Sequence, residues 1–319
     1  MRTATRSLII GAAAVLACAV PAGQAAAAEV VTIPVGDRPT AVAVNSATNT
    51  VYVADAGGGT VTIVDGDHDQ VRDTVSLGST VTDIAVNQVT NRVYASNRAG
   101  GSVSVLDGDT GAVLTTIAAG RGTAVLGVDE ATDRVYAASA TTGDIAVIEG
   151  DTGAVTATVP GHRLRPAGMA VDSGRETVYV TGETTDELVP LDVVTNTSAE
   201  GVRIGRAPAG VGVHEASNTI YVANAGIHHL SVVDGSSRTE RETILLRSAG
   251  SAIAVHQRTH TVYTNGGPNG LARIDGSGGE LVDELSLGIN PGGVAVSQHT
   301  GAVYVTDPLH DSLMVVTEF

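Results

Sequence analysis

The chain has 319 residues, is only 3% aromatic with no tryptophan, and carries 34 acidic against 18 basic side chains, a formal net charge of -16. None of the basic residues is lysine, so Schiff-base chemistry has no amine to use and all permanent positive charge is guanidinium. The acidic balance repels polyphosphate and argues against nucleic acid as a partner.

Residues 1–28 read as a secretion signal. Arg2 and Arg6 give a positive start, Leu8 to Val20 form an apolar run, and Ala22 to Ala28 form a small-residue stretch suited to cleavage. The run is too short for an ordinary membrane span, so the mature chain is expected to have no transmembrane helix and to be exported, either extracellular or associated with the cell envelope. Val15-Leu16-Ala17-Cys18 also resembles a bacterial lipoprotein box, which makes lipid anchoring through Cys18 a second expectation. Cys18 is the single cysteine. If it leaves with the leader, disulfides, a thiol nucleophile and thiolate metal sites are all excluded.

From residue 30 onward the chain is a repeat. The seven tyrosines stand at Tyr52, Tyr94, Tyr136, Tyr179, Tyr221, Tyr263 and Tyr304, about 42 residues apart. Each unit holds four short runs rich in valine and isoleucine, separated by Asn, Asp, Gly or Thr turns, and none has long helical periodicity. Four strands in that length make a propeller blade. The last unit stops one strand short, and Val30 to Gly36 resembles the fourth-strand segments elsewhere. The expected fold is therefore all-β: a seven-bladed β-propeller over residues 30–319, with four-stranded blades and the last blade closed by the N-terminal strand. Such closure leaves no free sheet edge. The tyrosines are expected to pack between blades with their hydroxyls on backbone carbonyls or loop groups. That use leaves almost no aromatic surface for cages or base stacking.

The loops sort onto two faces. On one, Asn45, Asn87, Asp129, Asp172, His214, His256 and Ser297 stand seven residues before the tyrosines, where Asn and Asp initiate turns. His214 and His256 break this series, and His260 lies across the same hairpin as His256. Three imidazoles there are weak candidates for a metal. The same face carries Asp65-Gly66, Asp107-Gly108, Asp234-Gly235, Asp275-Gly276 and the variant Glu149-Gly150, read as tight hairpins whose glycine takes positive φ. On the opposite face Arg38, Arg121, Arg163, Arg165 and Arg206 fall in passages between blades, and Arg98, His228 and His229 in second-to-third strand loops. These residues are the ligand-binding candidates. Arginines around a mouth on an acidic molecule suit a small anion or carboxylate, held by bidentate hydrogen bonds, or a cell-envelope component.

No G-x-S-x-G elbow, H-E-x-x-H helix, phosphate loop or dinucleotide fingerprint occurs. No catalytic residue is assigned and no cofactor is indicated. The short, even spacing of the units gives no inserted lid or linker, and a monomer is expected.

The motifs VYVAD, VYASN, VYAAS, VYVTG, IYVAN, VYTNG and VYVTD, followed by x-V-x-V-I/V-D-G, resemble those of the YVTN-repeat, YncE-like family of seven-bladed propellers. The resemblance spans residues 30–319. It implies the architecture strongly and an activity hardly at all. Relatives are typically exported bacterial proteins or modules of archaeal surface-layer proteins, and some have been linked to nucleic-acid binding. A wider resemblance reaches quinoprotein-dehydrogenase-like and lactonase-like propellers. Two functional classes follow: a binding or envelope scaffold, and a metal-assisted hydrolase, lactonase or lyase acting on a small molecule at the axis.

Overall fold

The computed structural model describes residues 28–161, 164–267 and 269–319. The leader with Cys18 therefore lies outside the described residues. Among them the strands form seven antiparallel sheets, whose innermost strands touch one another in a closed circuit. The chain is a seven-bladed β-propeller.

Blade 1 shows the plan: Pro39–Asn45 at the axis, then Thr50–Asp55, Thr60–Asp65 and Gln70–Ser76 moving outward. Valine and isoleucine favour these extended runs because branched side chains pack well on a pleated surface. The second strand is buried along its whole length, whereas the fourth is mostly exposed. Inner strands are covered on both faces by neighbouring blades, so alternation appears only at the rim. Seven apolar clusters form, one at each blade-to-blade junction, and each contains one tyrosine. Tyr52, for example, packs on Val81, Ile84, Val93 and Leu106 of blade 2.

The tyrosine hydroxyls divide. Tyr52 donates to the Gly108 carbonyl at 3.0 Å and Tyr221 to that of Gly276 at 3.0 Å, each in the following blade. The hydroxyls of Tyr94, Tyr136 and Tyr304 have no partner among the described residues. The Arg92 guanidinium donates to Gly150 O, the acceptor equivalent to Gly108 O, which takes Arg72 as well as the Tyr52 hydroxyl.

Blade 7 is built from both ends. Glu29–Pro34 pairs antiparallel with Ser312–Thr317, in a register that sets Ile33 against Leu313. Both side chains join the cluster that holds Val51 and Val53 of blade 1, so the ladder closes the sheet and its side chains seal the next junction. A polar belt crosses the same seam on the turn face. Ser46 N donates to Gln88 Oε1, Gln88 N to Glu130 Oε1, Gln257 N to Gln298 Oε1, and Gln298 N to Ser46 Oγ.

The first-to-second strand turns follow the Asx rule. Asn45, Asn87 and Asp129 each accept from the backbone N–H groups two and three residues on. Asp172 accepts from Arg175 N, three residues on, over the 3-10 turn Ser173–Arg175. The residue ending each turn is left-handed, from Asn49 and Asn91 to His260 and Gly301. The Asp-Gly turns differ from the expectation. Gly66, Gly108, Gly150, Gly235 and Gly276 are not among the positive-φ residues, and that conformation falls instead on Asp69, Gly111, Gly153, Arg238 and Gly279. Glycine is required there by a close approach. A Cβ on Gly108 would lie 2.3 Å from Asn91 Oδ1, and one on Gly66 would lie 2.5 Å from Asn49 O and 2.8 Å from the Tyr304 hydroxyl.

Blade 4 is the irregular one. Its outermost strand is broken into Thr197–Ser198 and Val202–Arg203. Pro190 in the third strand has no N–H for the ladder, and Ala199 N bonds its carbonyl across the gap at 2.8 Å. The break opens a cleft of about 200 Å³ beside Val189 and Leu191.

Candidate binding site at the propeller axis

The innermost strands begin on the passage face, and most carry a β-bulge in their first residues. A bulge sets an extra residue against the partner strand and re-aims the side chains there. Together these bulged ends wall an axial cavity of about 400 Å³, lined by the third, fourth and fifth residues before the Asx position in nearly every blade. Because the lining is confined to the strand starts, the cavity lies at the passage-face end of the axis. Its inner ring is aliphatic: Val42, Ile84, Leu126, Met169, Val211, Ile253 and Val294. Its outer ring supplies the Thr40, Thr82 and Ser251 hydroxyls.

Among the described residues, one lining residue is charged. In blade 2 the register jumps from Val81↔Asn97 to Ile84↔Ala95, leaving Thr82 and Asp83 opposite Ser96 alone. Ser96 Oγ holds the bulge by accepting from Asp83 N at 2.9 Å, and lies 3.0 Å from Thr82 Oγ1. The Asp83 carboxylate accepts from its neighbour Ile84 N at 2.9 Å and from Leu126 N of blade 3 at 2.8 Å. It thereby fastens two blades together. Burial within the ring of strands pushes its pKa up to about 6, although the two backbone N–H groups pull the other way. The side chain keeps some accessible surface because it borders the lumen, but the surrounding strand ends strip water from most of the carboxylate, so desolvation dominates.

The equivalent positions in the other blades are Ala41, Val125, Gly168, Gly210, Ala252 and Gly293. Three of these are glycine for a steric reason. A Cβ on Gly168 would fall 2.1 Å from Ala209 O, one on Gly210 2.7 Å from Ala252 Cα, and one on Gly293 2.9 Å from Ala41 Cα. Neighbouring inner strands crowd together in those blades, whereas blade 2 has room for a carboxylate. Sequence reasoning by motif passes over Asp83. Aligning the seven units on the Asx position would have found it, as the only acid in its column.

A family profile described as a YNCE-like beta-propeller matches residues 154–318, just over half of the chain. The chain belongs to the YncE-like β-propeller family. No curated protein matches it.

In this YncE-like propeller none of the described arginines lines the cavity. Arg38 is exposed and sits 3.9 Å from Asp37, while its backbone N–H, on a left-handed residue, donates to Asp311 Oδ1. Arg165 pairs with Glu183 at 3.2 Å. Arg98, Arg121 and Arg206 are exposed. Arg163 lies outside the described residues, as do His162 and Pro268. His228 is exposed, whereas His229 is half-buried at the start of a third strand, with its Nε2 lacking a partner among the described residues. The acids of the second-to-third loops turn inward. Asp55 Oδ2 accepts from Thr60 and Thr62, and burial raises its pKa.

On the turn face the three histidines have separate uses. His214 and His260 stack with ring centroids 3.5 Å apart and planes 8° from parallel. They stand where Asn45 Nδ2 donates to Asn91 Oδ1, and Asn87 Nδ2 to Asp133 Oδ1, between earlier pairs of blades. The His214 nitrogens meet Ser217 Oγ and the Gln257 carbonyl, and His260 Nε2 meets the Tyr221 hydroxyl at 2.7 Å. His256 Nδ1 meets Thr259 Oγ1. No group of three or more His, Cys, Asp or Glu side chains suited to a metal occurs among the described residues. No described helix is long and apolar enough to cross a membrane.

Proposed function

We propose that this protein is an exported binding propeller, a scaffold of the extracellular space or cell envelope that seats a small molecule at its axis without transforming it. The observation that carries this reading is the cavity of about 400 Å³ at the start of the inner strands. Its size falls in the range of small-molecule sites, and its accessible lining is more polar than apolar, with the Thr40, Thr82 and Ser251 hydroxyls and the Asp83 carboxylate set among aliphatic residues. The short turns and the closed ring support a preformed site. The exposed arginines Arg38, Arg98, Arg121, Arg165 and Arg206, with the exposed His228 and the half-buried His229, form the outer approach. There an anionic group of a ligand or of the envelope is met by guanidinium.

The test is a metabolite and envelope-extract screen by thermal shift, repeated on Ala167→Phe, which fills the cavity from a lining position, and on Arg206→Ala. A ligand lost in Ala167→Phe places binding at the axis, and one lost in Arg206→Ala places it at the rim. Ligands that bind both variants like the parent refute the reading. The metal-assisted hydrolase, lactonase or lyase reading has, among the described residues, Asp83 as the one ionisable group in the lumen lining, with no second acid beside it. Stoichiometric metal in the purified protein, with turnover lost in Asp83→Asn, would replace the binding reading with that one.

A further inference from the structure

We propose that the axial cavity recognises small aliphatic ammonium compounds bearing N–H donors, with Asp83 as the group that fixes the ammonium. The inference rests on the reading of the cavity as a binding site and names its ligand class.

Asp83 brings a carboxylate into a lumen whose lining, among the described residues, holds neither arginine nor histidine. A charge in that position has no counter-ion from the described wall, and a cation entering the cavity supplies one. The carboxylate also has acceptor capacity left. A carboxylate offers about four lone-pair sites, and two are taken by Ile84 N and Leu126 N. These two bonds hold the group in place, so a ligand would not have to order it. Preorganisation of this kind raises affinity by lowering the cost of binding. Thr82 lies in the same bulge and Thr40 in the neighbouring blade, each with a hydroxyl that can accept a further N–H.

The rest of the wall narrows the class. Ile84, Leu126, Val211 and Val294 are buried in the junction cores, whereas Val42, Met169 and Ile253 keep partial exposure at the lining and offer apolar surface to a short hydrocarbon chain. No aromatic side chain lines the cavity, so the cage that selects quaternary ammonium is missing. A carboxylate ligand would be repelled by Asp83. A divalent cation would find one carboxylate where such ions take six or more oxygens.

Isothermal titration of the parent protein at about pH 7.5 with n-pentylammonium, 1-pentanol, pentanoate and tetramethylammonium separates these classes. The expected result is that n-pentylammonium binds best. Its affinity should fall roughly tenfold or more in Asp83→Asn, since a charge-assisted hydrogen bond exceeds the 1.4 kcal/mol that a factor of ten represents. It should also fall in the unaltered protein at about pH 5, where Asp83 is protonated; this needs no variant and covers the case in which Asp83→Asn fails to fold. Pentanoate or tetramethylammonium binding as well as the primary amine would overturn the proposal. So would an amine affinity unchanged both by Asp83→Asn and by the lower pH, or no amine binding at all. If amines do not bind but another ligand is displaced by Ala167→Phe, the axial reading stands and the ammonium inference alone fails. If Ala167→Phe disturbs no ligand, both fail.

Discussion

Replacing Asp83 by asparagine should change how stability depends on pH. Burial raises the Asp83 pKa from 3.8 to about 6 in the folded protein. A raised folded-state pKa means that the native state binds the proton more tightly than the unfolded chain. The associated stability is fully present below about pH 4 and is lost as pH rises through about 6. At 1.36 kcal/mol per unit, the shift amounts to about 3 kcal/mol, an upper figure because water in the lumen screens the exposed part of the carboxylate. Asparagine carries no such dependence, but it turns an amide NH₂ toward one of the two backbone donors and gives up a hydrogen bond worth about 1–2 kcal/mol. The parent should therefore be the more stable protein near pH 4 and the less stable one near pH 7.5. Thermal unfolding followed by circular dichroism at pH steps across this range reads the difference directly, and the remaining acids cancel between parent and variant. At about 2 °C per kcal/mol for a chain of this size, the gap in Tm should swing by up to roughly 6 °C and change sign. Parallel Tm curves would refute the assignment of a raised pKa to this carboxylate, and a swing of opposite sign would mean that Asp83 is stabilised as an anion.

Three further outcomes follow from the packing. Tyr52→Phe removes a buried hydrogen bond to Gly108 O and should cost about 1 kcal/mol. Tyr94→Phe removes a hydroxyl without a described partner and should be neutral or stabilising by comparison, as urea midpoints would show. Gly108→Ala should destabilise by about 1–3 kcal/mol through overpacking against Asn91, measured the same way, although its φ is ordinary. Desolvation first, then the adjacent His214, lowers the pKa of His260. A depressed folded-state pKa gives stability that is present above about pH 6.5 and lost as pH falls, so His260→Asn should flatten the decline in Tm between about pH 7 and pH 5.

The sequence pattern made the ring and its closure legible, because both are written in spacing. The tyrosine interval counts blades, and the match between Val30–Gly36 and the other fourth strands anticipates the Ile33–Leu313 register. The Asx turns were legible because a side chain bonding two and three residues ahead needs no tertiary context. The Asp-Gly turns show the limit of local reasoning. Their glycines answer to Asn49, Asn91 and Tyr304, contacts made only after folding. The arginines were assigned to the passage face by strand parity, but parity does not say how far from the axis a residue sits, and none of the described ones lines the cavity. Asp83 was missed for a related reason. Two bulged residues opposite one interrupt strand alternation, so face assignment from sequence fails where the cavity begins.

In a sevenfold repeat, information about function lies in the departures from the repeat, and here they can be compared. The His214–His260 stack replaces an Asn–Asn or Asn–Asp hydrogen bond in the same place, with its ring nitrogens taken up by Ser217, Gln257 and Tyr221. The break at Pro190 is bridged by Ala199 N. Both departures are answered by neighbouring protein groups. Asp83 is held by two backbone N–H groups, yet its charge has no cation opposite it among the described lining residues, and it stands at an open volume where six equivalent positions are small or apolar. Structural need alone would favour an apolar residue there, since a buried carboxylate costs stability at neutral pH. The free energy that the axis forgoes at neutral pH by carrying this carboxylate is the strongest argument that the cavity is there to bind something.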